Sequence, residues 1–409
     1  FRGMNALETM TSIVREFDGM ADGEELEADV DVQNYDMGFR VWLLEWGLRH
    51  TAAERDDGAA RLTMKGGTFP KAAGLHHLVA DDDGIVWACD RATTVARFDL
   101  GASKTNAVAR GALKSGSHVA LDRRAKRLVV ADPGANELVA FRTDDLVVEQ
   151  RWKALGGPQL PLISPDGIIC VTGGATGTLI IVRPQTVGSA EQTVAVGPCP
   201  HDPDLSSDGL HVFVPCTGSH ELVKVRLSDG QIVGTVRVGH GPAHVKTDHA
   251  AKRVYVANSW DGTVSAVSED GLLLAQTFSG TWAHAIDLTP DGRFVLVANF
   301  SDDTVAVFQA DTLERVALLP TDRYPHGLNV SPDGKSVLVT GFDSEYARVY
   351  DTATWSLRAR VKVGRGGAHT AFTGTSSTAV ISCSVDDHLA CLDVADGTVS
   401  RHLTLAQAG

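Results

Sequence analysis

The fold is decided by the stretch Thr281-Trp-Ala-His284-Ala-Ile-Asp-Leu-Thr-Pro-Asp291-Gly292-Arg-Phe-Val-Leu-Val-Ala-Asn299. Its histidine lies seven residues before the Asp-Gly pair, and this position returns every 40 to 43 residues along the chain. The aligned residues are His76, His118, Gln159, His201, His244, His284, His326 and His369. A period of this length that is kept eight times indicates an array of eight structural repeats.

Each repeat contains four short strand-like segments. In the fifth repeat we predict strands over 244–248, 254–258, 263–267 and 273–278, each bounded by turn residues. Asp-Gly pairs close the first hairpin in five repeats, because glycine tolerates the positive φ of a tight turn: 83–84, 166–167, 208–209, 291–292 and 333–334. Four-stranded units of this length form β-propeller blades. We therefore predict an all-β, eight-bladed propeller over 71–409, and a seven-bladed closure would require one terminal unit to be something else.

The second strand of two repeats reads Tyr255-Val-Ala-Asn258 and Leu296-Val-Ala-Asn299. These residues resemble the YVTN-type β-propeller repeat family, and the resemblance extends over residues 74–405. It implies the fold and leaves the function open, because this family resembles lactonases, streptogramin lyases, haem-binding and copper-binding propellers and scaffolds alike.

Composition excludes several classes of function. There are 37 Lys plus Arg against 51 Asp plus Glu, a net charge of −14, which argues against nucleic acid as a partner. No apolar run approaches the roughly 20 residues that cross a bilayer, so we expect no membrane partner. Six cysteines are too few for a disulfide scaffold, and five lie in short apolar runs typical of buried thiols: Cys89, Cys170, Cys216, Cys383 and Cys391.

The compartment is less well defined by the sequence. Cytoplasm is favoured, but the chain starts at Phe1, and a leader removed before that residue would leave no trace, so a periplasmic or secreted location stays open.

Residues 1–70 lie outside the repeats. Leu7, Met10, Val14 and Phe17 fall on one face of a predicted short helix. The acidic stretch 22–31 is predicted to be a solvated linker. The stretch 37–48, with Trp42 and Trp46, is apolar enough to pack as a lid, a blade cover or a homodimer contact.

The repeated histidine predicts a functional ring. Inner propeller strands run in the same direction around the central channel, so equivalent residues of all blades meet at its mouth. Seven of these eight positions are histidine, and the first repeat adds a neighbour, giving His76-His77. Imidazoles from separate rigid strands can form a nitrogen-rich metal site. Alternatively, each of these histidines is a repeat feature that bonds the backbone between blades.

This arrangement looks like the copper-cluster propeller of nitrous oxide reductase. The resemblance implies a common set of candidate metal ligands: His76, His77, His118, His201, His244, His284, His326 and His369. Because a first-row metal accepts about four to six ligands, a single copper or iron ion held by three or four of them is the most economical version.

Three functions are compatible with the ring. The leading prediction is a metal-dependent oxidoreductase that uses copper or iron and acts on a small-molecule or peptide substrate. The second is a lyase or lactonase in which His284 and His326 act as general base and acid, as the resemblance to streptogramin lyases implies. The third is a non-catalytic propeller that binds a protein partner. Five further residues are candidates to line a pocket beside the ring: Gln159, Cys199, Trp282, Tyr324 and Arg365.

Overall fold

The computed structural model describes residues 25–31, 50–54, 59–65, 74–184, 191–374 and 377–405. All regular structure longer than a single turn within these ranges is β-strand, arranged as one three-stranded and eight four-stranded sheets. The described part of the chain contains no helix long and apolar enough to cross a membrane. The chain divides between residues 73 and 74 into two units.

The first four blades follow one another along the second unit. Blade 1 contains β4 (Leu75–Ala80), β5 (Ile85–Asp90), β6 (Val95–Asp99) and β7 (Lys104–Ala109). Blade 2 contains β8 (Val119–Asp122), β9 (Arg127–Asp132), β10 (Glu137–Arg142) and β11 (Val148–Lys153). Blade 3 contains β12 (Leu162–Ile163), β13 (Ile169–Gly173), β14 (Thr178–Val182) and β15 (Gln192–Ala195). Blade 4 contains β16 (Asp204–Leu205), β17 (His211–Cys216), β18 (Glu221–Arg226) and β19 (Ile232–Arg237).

The remaining four blades repeat the same order. Blade 5 contains β20 (Pro242–Asp248), β21 (Arg253–Asn258), β22 (Thr263–Ser268) and β23 (Leu273–Phe278). Blade 6 contains β24 (Ala283–Leu288), β25 (Phe294–Asn299), β26 (Thr304–Gln309) and β27 (Arg315–Pro320). Blade 7 contains β28 (Pro325–Val330), β29 (Ser336–Gly341), β30 (Tyr346–Asp351) and β31 (Leu357–Lys362). Blade 8 contains β32 (Gly367–Phe372), β33 (Thr378–Cys383), β34 (His388–Asp393) and β35 (Thr398–Thr404).

The prediction of an eight-bladed, four-stranded propeller is confirmed. Every blade is an antiparallel meander in chain order, and the four strands of the fifth blade match the predicted ones to within two residues. All five predicted hairpin glycines have a positive φ, between 67° and 80°: Gly84, Gly167, Gly209, Gly292 and Gly334.

The hydrophobic core lies between the blades. Each of the eight pairs of adjacent blades shares its own cluster of buried residues, as expected when a blade buries its faces only against its neighbours. Blades 8 and 1 close the ring in the same way, with Phe98 and Leu389 in one buried cluster. The backbone N–H of Leu75 also donates to the Asp387 carboxylate across this junction, at 3.1 Å. The five cysteines predicted to be buried are buried thiols that form no disulfide in the described structure.

The Tyr255 hydroxyl ties blade 5 to blade 6, and its removal is expected to be measurable. The side chain is fully buried, and its O–H donates to the Ala310 carbonyl at 2.6 Å. Tyr255→Phe keeps the ring and leaves that carbonyl with only the longer bond from Arg253 Nη1, at 3.3 Å, so we expect the free energy of unfolding to fall by about 0.5–1.5 kcal/mol, the usual net contribution of one hydrogen bond. Urea denaturation would measure this, and an unchanged midpoint and slope would contradict it.

The first unit differs from its prediction where it is described. β1 (Glu25–Asp31), β2 (His50–Glu54) and β3 (Ala59–Lys65) form an antiparallel sheet in the order β1-β3-β2. The acidic stretch 22–31 is therefore mostly strand, because pairing with β3 satisfies the backbone that a solvated linker would expose to water. The predicted helix near Leu7 and the apolar stretch 37–48 lie outside the described residues.

Candidate functional site

The eight predicted histidines come together in one arc. Neighbouring ring centroids along it are 4.3–5.2 Å apart, in the order His201, His244, His284, His326, His369, His77 and His118. His76 lies beside His369, at 4.8 Å. The arc draws on seven blades and is interrupted at blade 3, where Gln159 is exposed.

Irregular strand pairing positions these side chains. In five blades the pairing of the inner strand with the second strand shifts register at the start of the inner strand. The shift leaves His76, His284, His326 and His369 within or beside a β-bulge. A bulge redirects a side chain away from the regular alternation of the sheet. The sequence shows the histidine period but not these bulges.

The predicted pocket residues Cys199, Trp282 and Tyr324 have a backbone role. Each lies two residues before a ring histidine and has a left-handed φ between 50° and 59°. Their carbonyls accept the backbone N–H groups of Thr217, Phe300 and Phe342, respectively, from the loop between the second and third strands of the same blade. They therefore form the turn that leads into the inner strand.

The side chains at these turns are already engaged with the protein. Trp282 is 9% exposed, and Tyr324 stacks on Phe300 with ring centroids 4.9 Å apart. Arg365 is exposed and pairs with Asp386 at 2.7 Å.

A carboxylate links two histidines at one end of the arc. Asp202 Oδ2 lies 3.1 Å from His244 Nδ1, and Asp202 Oδ1 lies 3.5 Å from His201 Nδ1. The backbone N–H of Asp202 donates to the Ala243 carbonyl, which holds the carboxylate of blade 4 against blade 5. On the far side of its ring, His244 Nε2 lies 3.3 Å from His284 Nε2. His244 thus contacts the Asp202 carboxylate through one ring nitrogen and His284 through the other.

Burial and charge oppose each other at Asp202. Burial of the carboxyl group favours its neutral form, but the adjacent His201 and His244 imidazoles outweigh that effect, and the pKa of Asp202 is lowered. Asp202 is therefore an anion at neutral pH, so the ring nitrogen of His244 that faces it carries the hydrogen. In the neutral form of this ring the lone pair therefore lies on Nε2, where a general base needs it.

A cation lies beside His76. Arg91, in the loop between β5 and β6, places Nη2 2.7 Å from His76 Nε2. Burial, and next to it the charge of Arg91, lowers the pKa of His76 well below its ordinary value. Burial is also the main cause that lowers the pKa of His77 and of His369. These three rings are neutral at pH 7.

Two groups in the described chain have the geometry of a metal site. His77, His118 and His369 place one ligand atom each within 4.8 Å of one another, as do His201, Asp202 and His244. The first group fits a metal poorly. His77 Nδ1 accepts the backbone N–H of Val119 at 3.2 Å, so its hydrogen lies on Nε2. A ligating Nε2 needs the hydrogen on Nδ1 instead, usually donated to a carbonyl or carboxylate.

Comparison with known protein families points to lactonases. The family model "Lactonase, 7-bladed beta-propeller" matches residues 174–373, just under half of the chain. A 6-phosphogluconolactonase from Serratia proteamaculans (strain 568) is 32% identical over a 149-residue alignment, which covers 31% of this chain. The chain thus matches 45% of that relative's length. The matched segment contains Asp202, His244 and His284 but neither His77 nor His118.

Solved structures share the fold at low identity. A 6-phosphogluconolactonase candidate from Bacteroides fragilis aligns with a TM-score of 0.55 and 18% identity, covering 73% of this chain and 97% of that one. The dihydro-heme d1 dehydrogenase NirN in complex with DHE aligns with a TM-score of 0.60 and 17% identity, covering 77% and 73%. At these identities the likeness extends to the fold alone.

The leading prediction of a copper- or iron-dependent oxidoreductase is wrong. The sequence similarity is to lactonases, which agrees with the second predicted function. The error came from treating a high histidine count as a metal signature, although hydrogen bonds to protein groups already fix several of these rings. The binding of any metal ion by the arc stays a prediction.

Proposed function

We propose that this protein hydrolyses lactones, with His244 as the general base. The observation that carries the proposal is the 3.1 Å contact between Asp202 and His244 Nδ1, which leaves His244 Nε2 as a proton acceptor at the channel mouth. The lactonase similarity of the same segment supports it. The sequence suggested His284 and His326 as the acid–base pair; we assign the base to His244 and keep His284 as its partner.

The nucleophilic water would bind beside His244 and His284. Their Nε2 atoms are 3.3 Å apart, within direct hydrogen-bond distance, so no water fits between them. A water beside the pair donates one hydrogen to His244 Nε2 and accepts from His284 Nε2, and its remaining lone pair attacks the carbonyl carbon of a lactone bound in front of the arc.

The reaction balances without another reagent. The water oxygen bonds to the lactone carbonyl carbon while its proton moves to His244 Nε2, giving a tetrahedral oxyanion. The bond between that carbon and the ring oxygen then breaks, and the leaving alkoxide takes the proton from His244. The product is the open hydroxy acid, which ionises to a carboxylate in solution.

The substrate class that we propose is the lactone of a sugar acid, with a negatively charged substituent. The curated relative is named for a phosphorylated gluconolactone. Arg91 supplies a cation beside His76 of the arc, and we propose that such a substituent binds there.

Ring opening of purified protein with gluconolactone and 6-phosphogluconolactone tests this function. Acid release is followed at constant pH against the spontaneous rate. We expect saturable hydrolysis of at least one of the two lactones. Rates equal to the spontaneous reaction for both would contradict the proposal.

Arg91→Gln separates binding of the charged substituent from chemistry. A charge-assisted hydrogen bond contributes about 1.5–3 kcal/mol. We therefore expect KM for the phosphorylated lactone to rise by about tenfold or more, with KM for gluconolactone unchanged. Arg365→Gln is the matched control, because that arginine pairs with Asp386 and contacts no arc histidine in the described structure. Equal effects of Arg91→Gln on both substrates would contradict the role of Arg91.

A further inference from the structure

The ring hydrogens of the arc do not all lie on the same nitrogen. His244 carries its hydrogen on Nδ1, facing Asp202, and His326 Nδ1 lies 2.8 Å from the Ala368 carbonyl, which can only accept. His76 Nε2 faces the Arg91 guanidinium, which can only donate. In these three rings Nε2 is therefore an acceptor.

His77 has the opposite arrangement. The Val119 backbone N–H donates to His77 Nδ1, so this neutral ring keeps its hydrogen on Nε2. Val119 belongs to blade 2, whereas His77 belongs to blade 1, so the junction between two blades holds the ring in this state. The His77 Nε2–H is a fixed neutral donor, whereas Nε2 is an acceptor in His76, His244 and His326.

His77 lies across the channel mouth from the proposed base. His77 and His244 belong to blades 1 and 5 of the eight-bladed ring, which are opposite one another, and three further rings separate them along the arc: His284, His326 and His369. The Asp202 carboxylate, next to His244, also acts on the His77 pKa in the raising direction, after the larger lowering effects of burial and of His118. A lactone bound between them has the base on one side and the fixed donor on the other.

We infer that His77 is a catalytic residue that donates its Nε2–H to the carbonyl oxygen of the bound lactone as that oxygen becomes an oxyanion. The inference rests on the proposed lactonase function. A preorganised neutral donor stabilises the developing charge without competing for the proton that His244 takes from water. The hydrogen bond that the Val119 backbone N–H donates to Nδ1 keeps the ring from adopting the other tautomer.

The kinetic test replaces His77 with phenylalanine, which keeps the ring and removes the donor. Loss of one oxyanion donor lowers kcat by about 10²–10³-fold, and we expect a KM change of less than about threefold, because the bond strengthens only in the transition state. His77→Gln restores an N–H group and should recover part of the loss. His220→Phe is the control: His220 Nδ1 accepts the Gly241 N–H at the same 3.2 Å, but the ring lies outside the arc. A His77→Phe enzyme with a kcat within about threefold of wild type would overturn the inference.

A second measurement does not depend on activity. Nitrogen-15 NMR of histidine-labelled protein distinguishes the two neutral tautomers, and assignment uses the single variants. We expect His77 in the Nε2–H form and His244 in the Nδ1–H form. An Nδ1–H signal for His77 would overturn the inference even in an active lactonase. The absence of lactone hydrolysis with the expected tautomers would overturn the proposed function, and with it the catalytic role of His77, while the assigned tautomer would stand.

Discussion

Changing His244 to glutamine is expected to lower kcat for lactone hydrolysis by about 10²–10⁴-fold, the usual contribution of a general base. Glutamine retains a polar side chain of similar length, but its amide nitrogen cannot accept the proton of the attacking water. Binding of the lactone does not use this lone pair, so KM should change little. The measurement is the initial rate of acid release over a range of substrate concentrations.

His249→Gln is the matched control for this change. His249 follows the same inner strand, β20, but is exposed and belongs to the opposite end of that strand from His244. Its replacement should leave kcat unchanged. If both variants keep the wild-type kcat, His244 is not the base.

Changing Asp202 to asparagine is expected to lower kcat by a similar factor of about 10²–10⁴ for a different reason. The amide NH₂ group of asparagine can donate to His244 Nδ1, which favours the tautomer with its hydrogen on Nε2. That tautomer has no lone pair to receive the proton of water. The base is thus present but in the wrong state, and the rate should fall although His244 is intact.

Asp204→Asn provides the comparison for Asp202→Asn. Asp204 lies two residues further along blade 4, and its carboxylate accepts the Thr247 backbone N–H at 2.9 Å. It resembles Asp202 in joining blade 4 to blade 5 but contacts no ring histidine in the described structure. We expect the Asp204 variant to lose stability and keep its kcat. A larger kcat loss for Asp204→Asn than for Asp202→Asn would contradict the assignment.

The histidine arc shows what a repeat sequence can predict. The 40- to 43-residue period was sufficient to predict eight blades and to predict that His77 and His244 lie at the same channel mouth. It could not predict their chemistry, because the tautomers depend on single groups of adjacent blades, such as the Val119 N–H and the Asp202 carboxylate. These groups have no period of their own.

The turn residues show a second feature that the sequence did not predict, a backbone conformation. Trp282 and Tyr324 looked like pocket residues because aromatic side chains precede ring histidines. Their left-handed backbone and the carbonyls that bond the neighbouring loop explain the position instead, and in other blades glycine fills the same turn, as Gly241 and Gly366 do. Sequence alone does not reveal a backbone requirement when the residue that meets it is large.

The most direct test of the account is a double-variant cycle on Asp202 and His244. The kcat for the lactone that wild type hydrolyses fastest is measured for Asp202→Asn, His244→Gln and the double variant. Residues that act as one unit show strongly non-additive losses. We predict that the double variant is no slower than His244→Gln, within about threefold. A double variant slower by the product of the two single losses would contradict the claim that Asp202 works through His244.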